Sequence, residues 1–266
     1  MSKEFIFTSP DFSDTNAANY LLSIRETDDC TLLTVVDTRE KQCVALRRYP
    51  DKTLNDLVKS DSLLRLPCHS VVEICQNLPH ALVPQNLFDE NSASAYLPLD
   101  DLQQKRARTY WQTLPCYDAV SVMDVRRACA GRHFPAIHYR HPLALLAQFC
   151  AQHQTTVCYA DYHGATLYLA AGNVHRLALA NGYDCQTDDD VAYFVLSAYQ
   201  HLRADVETAP LILLVDAARF TSLYTLLSMY IRHVQQVSPS SKCCRTVPDA
   251  AYYPTFALNL CVEEKG

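Results

Sequence analysis

Thr155-Thr156-Val157-Cys158-Tyr159-Ala160, then Asp161-Tyr162-His163-Gly164, then Thr166-Leu167-Tyr168-Leu169-Ala170 is the stretch that decides the fold. β-Branched, aromatic and aliphatic residues flank a short polar group that ends in glycine, the pattern of a hairpin. It predicts strands over 155–160 and 166–170 joined by a turn at 161–164, with a third strand over 174–179. Thr187 is placed to cap a helix whose first turn, Asp188-Asp189-Asp190, suits the positive end of the helix dipole. Val191, Phe194, Val195, Ala198 and Leu202 fall on one face at helical spacing. Pro210 to Val215 is a nearly continuous apolar run, as expected of a central strand covered on both faces. A last long helix is predicted beyond it, with Phe220, Leu223, Leu227, Tyr230, Ile231 and Val234 on one stripe.

The same order of elements occurs earlier in the chain. Tyr20–Arg25, Thr31–Val36 and Cys43–Leu46 form short strand-like runs separated by polar turns at Asp28-Asp29 and Thr38–Lys41. Thr53, with Asp56 three residues on, opens a helix carrying Leu54, Leu57 and Val58, and His69–Ile74 follows as a strand. Each half therefore has the order β-β-β-α-β, that of an RNase H-like unit. The expected fold class is α/β with mixed sheets: a duplicated RNase H-like fold of actin-like ATPase architecture. The halves divide as 1–141 and 142–266, with an irregular exposed insertion at about 77–113. At the join, a strand over 119–123, a short helix over 125–130 broken at Gly131 and a strand over 134–138 are expected. A helix then starts at Pro142 and carries Leu146, Phe149 and Cys150.

Composition narrows the function classes. Of 266 residues 49% are hydrophobic, enough for a sizeable core, and the net charge of -6 argues against a protein that coats nucleic acid. Five glycines are present, roughly a quarter of the usual ~7%, which argues against glycine-rich phosphate loops. The twelve cysteines include no CxxC pair, and Met1-Ser2-Lys3-Glu4 leads into no apolar secretion signal. Reduced thiols in a cytoplasmic protein are expected, with adjacent Cys243 and Cys244 the one place for metal or redox chemistry. No membrane span is expected, because the most apolar stretch, Leu211 to Ile231, carries Asp216 and Arg219. Motifs of serine hydrolases, zincins, P-loop enzymes and dinucleotide-binding proteins are absent.

Two stretches carry a family resemblance. Ala81-Leu82-Val83-Pro84-Gln85-Asn86-Leu87-Phe88 is one. The other runs from Leu179-Ala180-Asn181-Gly182-Tyr183 through Asp190-Val191-Ala192-Tyr193-Phe194-Val195-Leu196 to the strand ending at Asp216. They resemble an uncharacterised Bacteroidetes family, a domain of unknown function with an actin-like ATPase fold. The join from Ala119 to Phe149 and the hairpin from Thr156 to Ala170 are more distantly similar to the actin-like proteins of type IV pilus assembly. The resemblance implies a fold and brings no activity with it.

Actin-like ATPases hold Mg-ATP with an Asp-x-Gly hairpin opening each half and a glycine pair after a later strand. The aspartate orients the hydrated metal, and glycine lets backbone N–H groups approach phosphate. Here the resemblance aligns Ser23 with the first aspartate and Arg25 with its glycine. In the second half Asp161 and Gly164 remain as DxxG, one residue longer than the family spacing, and Val215-Asp216-Ala217-Ala218 lacks the glycine pair. Candidate nucleotide-binding residues are thus Asp161, Gly164 and Asp216, with an ordinary hairpin turn as the alternative for 161–164. A nuclease would need three or four converging carboxylates, and only Asp161 and Asp216 are placed to meet. His133, His138, His141 and Cys129 fit no zinc spacing, so no metal is expected.

The basic run Lys105, Arg106 and Arg108 could form a patch with Arg126, Arg127 and Arg132 for an acidic or nucleic-acid partner, or remain a solvated loop. Sixteen tyrosines, Tyr252-Tyr253-Pro254 among them, suit protein contacts. The expected function is a non-catalytic scaffold or assembly factor with a protein partner and no cofactor. The alternatives are a divergent Mg-ATP-binding ATPase or phosphotransferase, and a nucleic-acid-binding module using the basic loop.

Overall fold

A computed structural model describes residues 4–237 and 256–258. The chain begins with β1 (Phe5–Thr8), β2 (Tyr20–Glu26), β3 (Cys30–Asp37), β4 (Gln42–Pro50), the single-turn helix α1 (Leu54–Leu57) and β5 (Ser70–Ile74). It continues through β6 (His80–Pro84), α2 (Asp101–Arg106), β7 (Thr109–Leu114), β8 (Ala119–Asp124) and β9 (His138–Arg140). The remainder is α3 (Pro142–Cys150), β10 (Val157–His163), β11 (Thr166–Asn173), β12 (Arg176–Asp184), α4 (Asp188–Leu202), β13 (Leu211–Leu214), α5 (Ala217–Leu227) and β14 (Val234–Gln236).

Duplication is visible in strand order. One sheet runs β1-β4-β3-β2-β5-β9 and another β12-β11-β10-β13-β14. With β1 set aside, both follow the same rule. A three-stranded antiparallel meander is extended by two strands parallel to its first. β13 is sandwiched as its composition predicts: Leu211 and Leu213 face a core formed with α4 and α5, and Leu214 faces the core around α3. That second core spans both sheets, uniting Leu21 and Ile74 with Leu146, Phe149, Val157 and Phe256. A third core packs α1 on the outer face of the first sheet through Leu22, Ile24, Leu54 and Leu57.

Four expectations need correction. Asp161, Tyr162 and His163 lie inside β10, and the turn is Gly164-Ala165 with Gly164 at φ +60, a left-handed conformation open to glycine. A polar residue within a strand looks like a turn in sequence when its polarity is satisfied by a distant partner. The last helix stops at Leu227, and Val234 enters β14, where it pairs with Leu211. Burial of Ile231 and Val234 imitates a helical stripe, but the open side of β13 recruits the segment as a strand. Residues 77–113 are irregular only in their middle: 85–108 carries 3-10 turns and the short α2, whereas β6 and β7 at the two ends flank β8 in a three-stranded antiparallel sheet. At the join, 125–127 and 130–132 are 3-10 turns, and the strand sits at 138–140.

Helix α4 begins as its sequence dictates. Asp190 N–H donates to Thr187 Oγ1 at 3.2 Å, and Thr187 N–H donates to the Asp190 carboxylate at 2.9 Å. Thr187→Ala is expected to lower stability by about 1 kcal/mol in urea unfolding, and an unchanged midpoint would refute that role for the cap. No disulfide joins two of the nine described cysteines, and Cys243, Cys244 and Tyr252-Tyr253-Pro254 lie outside the described residues.

Candidate functional site

The two hairpins that open the halves face each other across the junction of the sheets. Register identifies equivalent positions. Arg25 in β2 pairs with Leu32 and with Ile74, the last residue of β5. Asp161 in β10 pairs with Tyr168 and with Leu214, the last residue of β13. Arg25 therefore takes in the first half the place that Asp161 takes in the second, which corrects the alignment that put Ser23 there.

These two residues meet. Both side chains are 0% exposed, and the Arg25 guanidinium grips the Asp161 carboxylate at two points, Nη2 to Oδ2 and Nη1 to Oδ1 at 3.3 Å. Arg25 Nε donates to Gln76 Oε1 at 3.0 Å, and His163 Nε2 lies 3.3 Å from Asp161 Oδ1. Burial by itself would raise the Asp161 carboxyl, but the charges of Arg25 and His163 and their hydrogen bonds outweigh it and hold the carboxyl below its usual range. An Asp161 so engaged has both oxygens committed to a cation of the same chain.

A polar layer closes the junction outside this pair. Asn77 N–H donates to Tyr168 Oη at 2.8 Å and Asn77 Oδ1 accepts from the Thr166 hydroxyl at 2.8 Å, so the first half is tied to β11. Asp28 lies so close to Gly164 that a Cβ there would stand 2.9 Å from its Oδ2. Arg219 donates to Gly164 C=O at 3.2 Å and lies over the Tyr162 ring. Of the three candidate nucleotide residues, Asp161 and Gly164 are brought together in one hairpin. Asp216 is separate: it is exposed and caps α5 by accepting Arg219 N–H at 2.9 Å.

Beside the junction, at the ends of β2 and β5, opens a cavity of about 170 Å³ lined by Glu26, Asp28, Glu73, Gln76, Asn77 and Cys129 among others. Three carboxylates against the one guanidinium of Arg127, which also lines it, disfavour phosphate. Burial, then Glu26 and Glu73, push the Cys129 thiol up to about 11, which leaves it protonated and unreactive near neutrality. Among the described residues no group of three or more histidine, cysteine or carboxylate side chains is arranged to hold a metal ion. His133 contacts Asn55, His138 contacts Tyr110, and His141 caps α3, so these histidines do not converge.

The basic run meets Arg126 at Asp124, whose carboxylate accepts the Arg108 N–H at 3.2 Å. Lys105 and Arg106 end α2 and Arg108 precedes β7, all three exposed, while Arg126 is held by Asp124 through Nε at 2.7 Å. Sequence reasoning placed Arg25 but missed its function. The available signal was a charged residue directly after the apolar run Tyr20–Ile24, which in a buried strand requires a partner. Gln76, Asn77, Thr166 and Tyr168 gave no signal of their own.

Comparison with known proteins agrees with this architecture. The profile of a family described as "Protein of unknown function (DUF3822)" matches residues 9–234. Among curated proteins none matches significantly. A crystal structure from Bacteroides thetaiotaomicron VPI-5482, a protein with actin-like ATPase fold and unknown function, is similar with a TM-score of 0.76 at 16% identity; the match covers 95% of this chain and 99% of that one. A structure of the PilM-PilN type IV pilus biogenesis complex is similar with a TM-score of 0.62 at 14% identity, covering 90% of this chain and 96% of that one. At such identities the likeness shows the fold, and the fold is the actin-like ATPase fold expected from the duplicated element order. No helix among the described residues is long and apolar enough to cross a membrane.

Proposed function

The chain belongs to the DUF3822 family, and we propose that it is a non-catalytic protein of actin-like fold that acts through protein contacts as a scaffold or assembly factor. The observation that carries this is the Arg25–Asp161 pair. The aspartate that would orient a hydrated metal is fully buried and neutralised by the residue at the equivalent position of the other half. A cation of the chain at that aspartate supports a reading in which contacts within the chain, rather than a nucleotide, hold the two halves together. The neighbouring PilM structure is of a protein held in a complex with another protein, PilN, which supports a role exercised by contact. A cytoplasmic location is part of this reading. We divide the chain into functional halves at 141/142.

The test is a thermal-shift titration with Mg-ATP and Mg-ADP against EDTA controls, together with a turnover assay. No shift at several millimolar nucleotide is expected. A genuine ligand at a hundred times its dissociation constant would add about 2.7 kcal/mol, several degrees for a chain of this size. ATP turnover by the wild-type protein, lost in Asp161→Asn, would overturn the reading in favour of a divergent ATPase.

A further inference from the structure

Strand β7 forms one edge of the sheet β6-β8-β7. Its register with β8 and the bond from Val125 N–H to Arg108 C=O at 2.9 Å fix which backbone groups are used. Alternation along an antiparallel pair makes Tyr110, Gln112 and Leu114 exchange bonds with β8. The N–H and C=O groups of Thr109, Trp111 and Thr113 then point away from the sheet, and no strand among the described residues pairs with them. The sole tryptophan of the chain, Trp111, is 36% exposed at this edge, its ring 5.2 Å from Phe88 beside the exposed Leu87. Immediately upstream stand Lys105, Arg106 and Arg108, exposed and without an ion pair among the described residues.

We propose that the free edge of β7 with this basic run is a docking site for an extended acidic segment of a partner protein, added as a fourth strand. An unpaired edge supplies a row of backbone donors and acceptors that only an extended chain can satisfy. Exposed apolar side chains beside it take alternate residues of that chain, and three unpaired cations select carboxylates and set the salt dependence. The inference rests on the reading that the chain works through protein contacts, and it gives that reading a surface and a partner chemistry.

Trp111 reports on the site directly. The full chain is titrated with the capped octapeptide (Glu-Val)4 while Trp111 emission is followed. A saturable emission change is expected. Affinity should weaken at least tenfold in Lys105→Glu/Arg106→Glu/Arg108→Glu. It should fall similarly in Thr113→Pro, which removes an outward N–H without touching the ladder to β8. Circular dichroism confirms that the variants fold. No emission change with (Glu-Val)4, an equal response to (Lys-Val)4, or equal binding of a single-stranded oligonucleotide would each overturn the proposal. The nucleotide titration above is run on the same sample. ATP turnover would remove the scaffold reading whatever the peptide does, and peptide failure without nucleotide binding removes this site alone.

Discussion

Asp161→Ala should lower the unfolding free energy by about 3–5 kcal/mol, the cost of leaving one member of a buried pair without its counter-charge. Arg25 is 0% exposed and an arginine side chain is a permanent cation, so removing the carboxylate strands a full charge whose other side-chain hydrogen bond is to Gln76. Arg25→Met should cost less, because the abandoned Asp161 can take up a proton or keep the nearby His163. The apolar replacement of both, Arg25→Met/Asp161→Leu, should lie near the wild type or above it, since no charge then remains to be desolvated. Urea unfolding of the three variants gives a double-mutant cycle that isolates the coupling. A loss under ~1 kcal/mol in Asp161→Ala would mean that the cleft admits water or ligand to Arg25 and that the seal does not exist. The pair also has a defined pH signature. A carboxyl held below its ordinary value stabilises the fold above that value, near 3.8, and its contribution is lost as pH falls through the lowered one. Asp161 therefore does not titrate near pH 5, which separates it from the second effect.

Acid between pH 6.5 and 5 should weaken the protein through a histidine stack where the third sheet meets α3. His80 of β6 lies face to face with His141, ring centroids 3.8 Å apart and planes within 5°, and the edge of Tyr168 closes the other side. Leu143 N–H donates to His141 Nδ1 at 3.2 Å, so that nitrogen must be unprotonated for the cap of α3 to stand. Around the pair stand Ser121, bonded to His80, and Tyr168; no carboxylate contributes to either ring's electrostatics. Burial holds the His141 ring well below its usual range, reinforced by His80, and burial alone lowers His80 to about 3. A base held neutral in the fold contributes fully above its unfolded value of 6.5. The contribution is lost as pH falls below 6.5 toward the folded value.

For the fully buried His141 this amounts to about 2 kcal/mol by pH 5, at 1.36 kcal/mol per pH unit. His80 is half-buried by exposed area, so the expectation is scaled to His141. Thermal melts at pH 7 and pH 5 are expected to differ by several degrees. His80→Phe, which keeps the stack and removes one titrating ring, should narrow that difference. An identical pH dependence in wild type and His80→Phe, with both rings titrating near 6.5 by NMR, would show that the stack is open to water.

Much of this architecture was legible residue by residue. Thr187 with Asp190, Pro142 at the start of α3, the runs 20–25 and 166–170 and the apolar Leu211–Val215 each specify their element locally, and their order specifies the duplicated fold. Such signals are short-range: a cap, a periodicity and a turn act within a few residues. The missing glycine pair after β13 and the single glycine of the second hairpin likewise weaken a phosphate site on sequence alone.

What lay beyond reach involves partners far apart in the chain. Arg25 and Asp161 are 136 residues apart, and each taken alone looks like a misplaced or turn-forming polar residue. That the two ends of 77–113 form strands depended on β8 lying between them, and whether 231–234 continued a helix depended on an open side of β13. By itself the sequence determined the order of elements, and through it the duplicated fold. Tertiary structure decided that the polar residues at its centre face one another. A buried charge is stable only beside its counter-charge, and that proximity exists only once the two sheets have packed.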